Sequence, residues 1–443
     1  MTWVLAPGRS CTTSTVGDRV SVTVDASPLA PEQPVRGTRK RLEHIDAMRP
    51  VKQAGVVSTH TLLAFAPVGA GLAVGASLQL LHVTREAFLF VSACMLAYSL
   101  RETLRIDHHT FWRRRFAAVA VPYLCWTVIY FFFVAPTISE SFSARVGHLF
   151  YLFATGYYQL YYLVVLLEFY ALFPLFLLLL RRTRGHHGTL LVVSGVIQVL
   201  YVSLMHWQVF PSWMQGFWAS REVTSYQFYL IAGMVVALHL DEVHGWLCTH
   251  VRPVIIFTLA SALAAEGWYY LASYHVVSWL GANSDPFQPI VIPFNIGAIA
   301  CIYLIGVALV DRRRTARTRA VVSSGSDDAY GVYLAQMIFI TALTWLGWKH
   351  LSAVVPWPIL CIVTVAIVFL ACVGLTELLA RTPLAKPLTG RTRVPRRPRA
   401  DHSPPAALDR EEVVPSVGGD DVGDGLGDGP VAGVVGMPVG TQR

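Results

Sequence analysis

Residues 160–180 read LYYLVVLLEFYALFPLFLLLL, a run of 21 residues whose one charged side chain is Glu168. At 1.5 Å per residue such a helix is about 31 Å long, the thickness of a bilayer's hydrocarbon core. No soluble helix needs so long a stretch apolar on every face. The rest of the chain agrees. Hydrophobic residues make up 54% of 443 and charged residues only 14%, with mean hydropathy +0.50. A soluble protein carries roughly a quarter charged residues, and a chain this apolar could not cover a water-facing surface.

Nine further runs match the length of a spanning helix: 51–69, 83–100, 116–135, 189–208, 224–240, 253–272, 289–310, 329–347 and 354–376. The run 146–156 is apolar but short, as an interfacial or re-entrant piece would be. The expected fold is therefore an all-α polytopic membrane protein, a bundle of about ten transmembrane helices over residues 39–380. Residues 1–38 are polar and rich in Pro, Ser and Thr, which predicts a disordered tail or an early start codon. Residues 381–443 open with arginines and close on a Gly/Asp/Val/Pro sequence that cannot build a core, so a disordered C-terminal tail is expected.

Basic residues alternate between the connections. Arg49, Lys52, Arg101, Arg105, Arg113 to Arg115, Arg181, Arg182, Arg184, Arg252 and Arg312 to Arg314 fall on one side, Arg85, Arg145, Arg221 and Lys349 on the other. The positive-inside rule makes the first side cytoplasmic and places both termini there, in the plasma membrane, which ten spans allow. The net charge of +8 is thus set by topology, and nucleic acid is not an expected partner. The seven cysteines show no C-x-x-C or zinc-ligand spacing, so no metal is expected and they read as small apolar packing residues.

Ionisable side chains at membrane depth are the candidates for chemistry. His60 falls about ten residues into the first run, near mid-bilayer. Arg49 and Asp46 precede it by 11 and 14 residues, which on a continuous helix leaves all three on one face. A lone imidazole in a membrane also serves as a helix-to-helix hydrogen-bond partner. Arg113, Arg114 and Arg115 open the third run. Guanidinium groups at a cytoplasmic helix start suit phosphate oxygens, and they equally mark topology. Glu168 and Glu266 are the other deep charges, with tyrosines around Glu168 to satisfy it, and Glu377 sits where it can snorkel. No G-x-S-x-G elbow or Walker loop is present.

These features follow an order that resembles the integral membrane acyltransferase-3 family. Leu42 to Arg49 followed by His60 is similar to the family's L-D-x-x-R and distal histidine. Phe88-Leu89-Phe90-Val91-Ser92-Ala93 resembles F-F-x-x-S-G. Phe111 to Phe116 with Pro122-Tyr123-Leu124-Cys125-Trp126 resembles F-x-x-K-R with P-Y-L-x-W. Tyr158-Gln159-Leu160-Tyr161-Tyr162-Leu163 through Phe169 to Pro174, and Tyr330 to Gln336, resemble Y-H-L-W-F-L…Q-F-Y-L-L-F-P and Y-G-I-Y-L-x-H. Ala93 stands for a usual glycine, Gln159 and Gln336 for histidine, and Glu168 for glutamine.

The resemblance implies O-acyl transfer, by default acetyl, from cytoplasmic acyl-CoA to a hydroxyl of an envelope glycan, glycolipid or secreted metabolite. It implies no permanently bound cofactor. His60 becomes the expected base or acyl carrier, with Asp46, Arg49 and Glu168 in support, and Arg113, Arg114 and Arg115 the expected seat of the CoA phosphates. An exporter of a polysaccharide or lipid intermediate, without acyl transfer, is the alternative.

Overall fold

The computed structural model describes residues 43–133, 141–214, 219–276, 287–311 and 316–391. The predicted N-terminal tail, the chain beyond Arg391 and Arg312 to Arg314 lie outside the described residues. Every regular element within them is helical. The helices are α1 (Glu43–Phe65), α2 (Gly71–Leu81), α3 (Val83–Tyr98), α4 (His108–Phe133), α5 (Phe142–Thr155), α6 (Tyr161–Arg182) and α7 (His187–His206). They continue with α8 (Gln227–Leu238), α9 (Leu240–Thr249), α10 (Val251–Ser273), α11 (Val291–Asp311), α12 (Ala316–Trp345), α13 (Trp357–Ala380) and α14 (Ala385–Thr389).

Among the described residues, seven stretches are long and apolar enough to cross a bilayer. They are Gly71–Tyr98, His108–Phe133, Tyr158–Arg182, His187–His206, Val251–Ser273, Val291–Val310 and Trp357–Ala380. An eighth is gained if Val223–Leu238 and Leu240–Thr249, bent by 96°, count as one span. The two remaining expected spans, α1 and α12, fall short for one physical reason. Several of their described polar residues are packed against other helices. On α1, Asp46, Lys52 and Gln53 are buried, and on α12 so are Asp328 and Gln336. The α1 helix packs among α2, α3, α11, α12 and α13. A helix enclosed by protein need not be apolar.

Three boundaries differ from the sequence expectation. Pro50 lies inside α1, which runs unbroken from Glu43. The second span starts at Gly71 rather than 83 and is interrupted by a turn at His82. Gly75 is where the Tyr269 side chain of α10 fits against α2. The run at 146–156 extends to a 14-residue helix, α5, whose N-cap Ser141 accepts from Ala144 N–H at 3.3 Å.

Lys52 and Arg85 also leave the topological sets they were assigned to. Lys52 is 2% exposed, its ammonium 4.0 Å from the centre of the Phe88 ring. Gln53, one residue on, ties α1 to α12. Turned to satisfy both neighbours, its amide donates to Ala329 O (3.3 Å) and accepts from Tyr333 N–H (3.2 Å). The predicted C-terminal tail is folded as far as Arg391. Trp126 Nε1 donates to Leu388 O at 2.8 Å, holding α14 on α4. Arg391 pairs with buried Asp328 and, at 3.1 Å, with Glu377, which is partnered rather than snorkelling.

Candidate active site

One face of α1 opens on a cavity of about 220 Å³. Val56, Thr59, His60 and Leu63 reach it, the i, i+3, i+4, i+7 spacing of a single helix face. The break between α2 and α3 supplies His82, Thr84 and Arg85. The start of α6 supplies Tyr161 and Tyr162, and the turn before it Tyr158 and Gln159. Tyr333 of α12 and Phe88 of α3 complete the wall, their rings 6.2 Å apart and each within 6 Å of Tyr162.

The Nδ1 of His60 is sealed in protein with no hydrogen-bond partner, and its ring lies 5.2 Å from that of Tyr158. Tyr158 has φ 35°, a left-handed conformation that a bulky residue adopts only when its surroundings hold it there. Gly156, at φ 80°, makes the preceding turn, where a Cβ would strike the backbone of Leu160 and Tyr161. The Tyr333 hydroxyl donates to Gln159 O and fastens this turn to α12. His82 lies within electrostatic reach of both His60 and Arg85. Arg85 is 8% exposed, its Nη2 2.8 Å from Glu86 Oε1, and its guanidinium stacks over Tyr226 (4.9 Å) and Phe287 (4.7 Å).

The other predicted site residues lie elsewhere. Asp46 and Arg49 pair with each other at 3.3 Å. Eleven residues of helix separate Arg49 from His60, about 16 Å. Because α1 begins at Glu43, eight residues before the expected start, His60 occupies its last two turns rather than the middle of the helix. Glu168 is outside the cavity. Its Oε2 accepts from Val223 N–H at 2.9 Å, so a backbone amide satisfies it and not the expected tyrosine hydroxyls.

Arg113, Arg114 and Arg115 are exposed and do not line the cavity. They belong to the second turn of α4, since the helix starts at His108. Asp107 caps that start. The Thr110 hydroxyl, with the amides of Thr110 and His109, holds its carboxyl below the usual carboxylate range. The helix-terminal N–H groups therefore serve Asp107, and the dipole expected to assist the arginines is spent one turn earlier. Arg115 does reach the Tyr170 hydroxyl, and Trp112 Nε1 donates to Tyr170 O at 3.0 Å. Tyr330 lies electrostatically close to Tyr170 and Tyr162 and stacks on Tyr333 at 6.5 Å. Tyr333 in turn lines the cavity.

Sequence reasoning missed His82, Arg85 and Glu86. The available signal was a histidine, an arginine and a glutamate within five residues between two apolar stretches, which also fits a loop.

Apolar helices around an interior cavity lined by an imidazole, a guanidinium and several phenols define a multi-pass membrane protein. The chain belongs to the acyltransferase-3 family, matching its acyltransferase domain over residues 43–374. It is accordingly an acyltransferase that moves groups other than aminoacyl groups. No curated protein and no solved structure matches the chain.

Proposed function

We propose that the protein is a plasma-membrane O-acyltransferase. Ten helices, α1 and α12 included, cross the bilayer with both termini cytoplasmic. It takes an acyl group, acetyl by default, from cytoplasmic acyl-CoA and places it on a hydroxyl of an envelope glycan, glycolipid or secreted metabolite. The observation that carries this is His60. It is a histidine on the wall of a partly open cavity, with Nδ1 buried and without a hydrogen-bond partner; the other ring nitrogen takes the substrate proton in this reading.

Arg113 and Arg115, with Arg114 beside them, hold the CoA phosphates at the exposed start of α4. The acyl end of the donor reaches the cavity at His60. Asp46 and Arg49 order the mouth of α1 as an ion pair, and Glu168 keeps the 220s loop against α6. Acylation of the acceptor hydroxyl then proceeds at His60, as base or as transient acyl carrier.

Membranes containing the protein, given radiolabelled acetyl-CoA, are expected to pass label to envelope glycan or lipid. Absence of transfer from acetyl-, succinyl- and longer acyl-CoA rejects the proposal. In the same assay, Arg113→Ala with Arg115→Ala is expected to raise KM for the donor at least about tenfold, as lost charge-assisted phosphate contacts do. An unchanged KM removes the arginines from donor binding.

A further inference from the structure

We infer that Arg85 is a catalytic residue that receives the negative charge of the acyl oxygen during transfer, with Glu86 holding its guanidinium in place. This rests on the acyltransferase reading of the cavity and adds to it a charge-stabilising group.

Four observations lead there. Arg85 and His60 line the same cavity, and His82 lies within electrostatic reach of both. At about 220 Å³ the space is smaller than a typical ligand site, so it suits the reacting end of a substrate and little more. The side chain is fixed from three directions, by Glu86 at 2.8 Å and by the rings of Tyr226 and Phe287. One carboxylate oxygen cannot occupy five N–H donors.

Charge decides what the spare donors are for. The Arg85–Glu86 pair is neutral as a unit, so it offers little to offset the desolvation of a permanently anionic ligand. It is suited to a charge that appears and disappears within the site. In the transfer, the acceptor oxygen bonds to the thioester carbon as its proton passes to the free nitrogen of His60. The carbonyl electron pair moves onto the acyl oxygen, which becomes anionic beside Arg85. His60 is now cationic, so the site's total charge is unchanged. When the carbonyl re-forms, the C–S bond breaks, and the departing thiolate takes the proton back from His60. Ester and thiol leave, and the protein is restored. A preorganised donor aimed at that oxygen is the kind of group that lowers an acyl-transfer barrier most.

The test is the double variant Arg85→Gln/Glu86→Gln, close in volume and uncharged, compared with wild type and His60→Ala in full-length protein. Radiolabelled acetyl-CoA is the donor and native envelope lipid and glycan the acceptor. The double variant is expected to keep KM for acetyl-CoA within about threefold while kcat falls by about 10²–10³, the usual loss for such a donor. A kcat within threefold of wild type overturns the inference, as does a loss confined to KM. Should the double variant not accumulate, Arg85→Lys gives the same decision: kcat down at least tenfold supports the assignment, and kcat within threefold rejects it. If wild type transfers label, His60→Ala does not, and the arginine variants do, the arginine assignment alone fails. If wild type transfers nothing, the acyl-transfer proposal itself falls and takes this inference with it.

Discussion

Replacing His60 by alanine is expected to lower acyl transfer by about 10²–10⁴-fold, the range that general-base removal produces. The protein should still accumulate in the membrane. His60 is a wall residue, with Nδ1 unpartnered, so alanine enlarges the cavity without leaving a buried donor or acceptor behind. Its ring contact with Tyr158 is the packing that goes. Product formation from labelled acetyl-CoA, scored against the amount of protein in the membrane, measures the effect. Transfer at the wild-type rate by a normally inserted His60→Ala protein would reject the role.

The second large effect concerns assembly. Gly233 on α8 crosses α3 where a Cβ would run into the carbonyl of Phe90 and approach the amide of Cys94. Backbone atoms cannot swing aside as a side-chain tip can, so the two helices would have to separate. Small residues at such crossings are what allow membrane helices to pack closely. Gly233→Ala is expected to destabilise by roughly 1–3 kcal/mol, and Gly233→Leu to abolish accumulation of folded protein. Thermal unfolding in detergent and protein levels in membranes are the readouts. Wild-type behaviour of the leucine variant would mean that α3 and α8 do not meet at this glycine. Because α3 also carries Arg85 and Phe88, the alanine variant should lose activity beyond its loss of stability.

How much of this was legible in the sequence depends on what each residue faces. Residues 160–180 could be read at once, because α6 is apolar nearly all round. His60 was legible as well, since an imidazole is conspicuous in such a run and its spacing from Asp46 and Arg49 needs only a continuous helix. The start of α1 was not. Asp46, Arg49 and Lys52 look like a water-facing segment, and nothing local tells that α11, α12 and α13 surround it. Gly71–Leu81 lies outside the expected runs, and the packing partner of Gly75, Tyr269, lies on a helix far along the chain. His82, Arg85 and Glu86 were hidden for the same reason. Their partners Tyr226 and Phe287 are distant in sequence, and only the fold brings them together. The family resemblance, by contrast, needed only residue order, and the family match spans most of the stretch it was drawn from.

The buried charges of α1 bear on how the chain is made. Each ionised side chain near a helix centre disfavours insertion by about 2.5–3.5 kcal/mol, so α1 is poorly held by lipid alone. Its protein neighbours α11, α12 and α13 are synthesised last, on the order of tens of seconds later at ordinary elongation rates. Until then α1 must wait at the bilayer margin or in the care of the insertion machinery. A nascent chain released after residue 275 is expected to leave this helix open to protease, where the full-length product protects it. Biogenesis therefore couples α1 to helices made much later, and His60 gains its final surroundings only after α11, α12 and α13 exist.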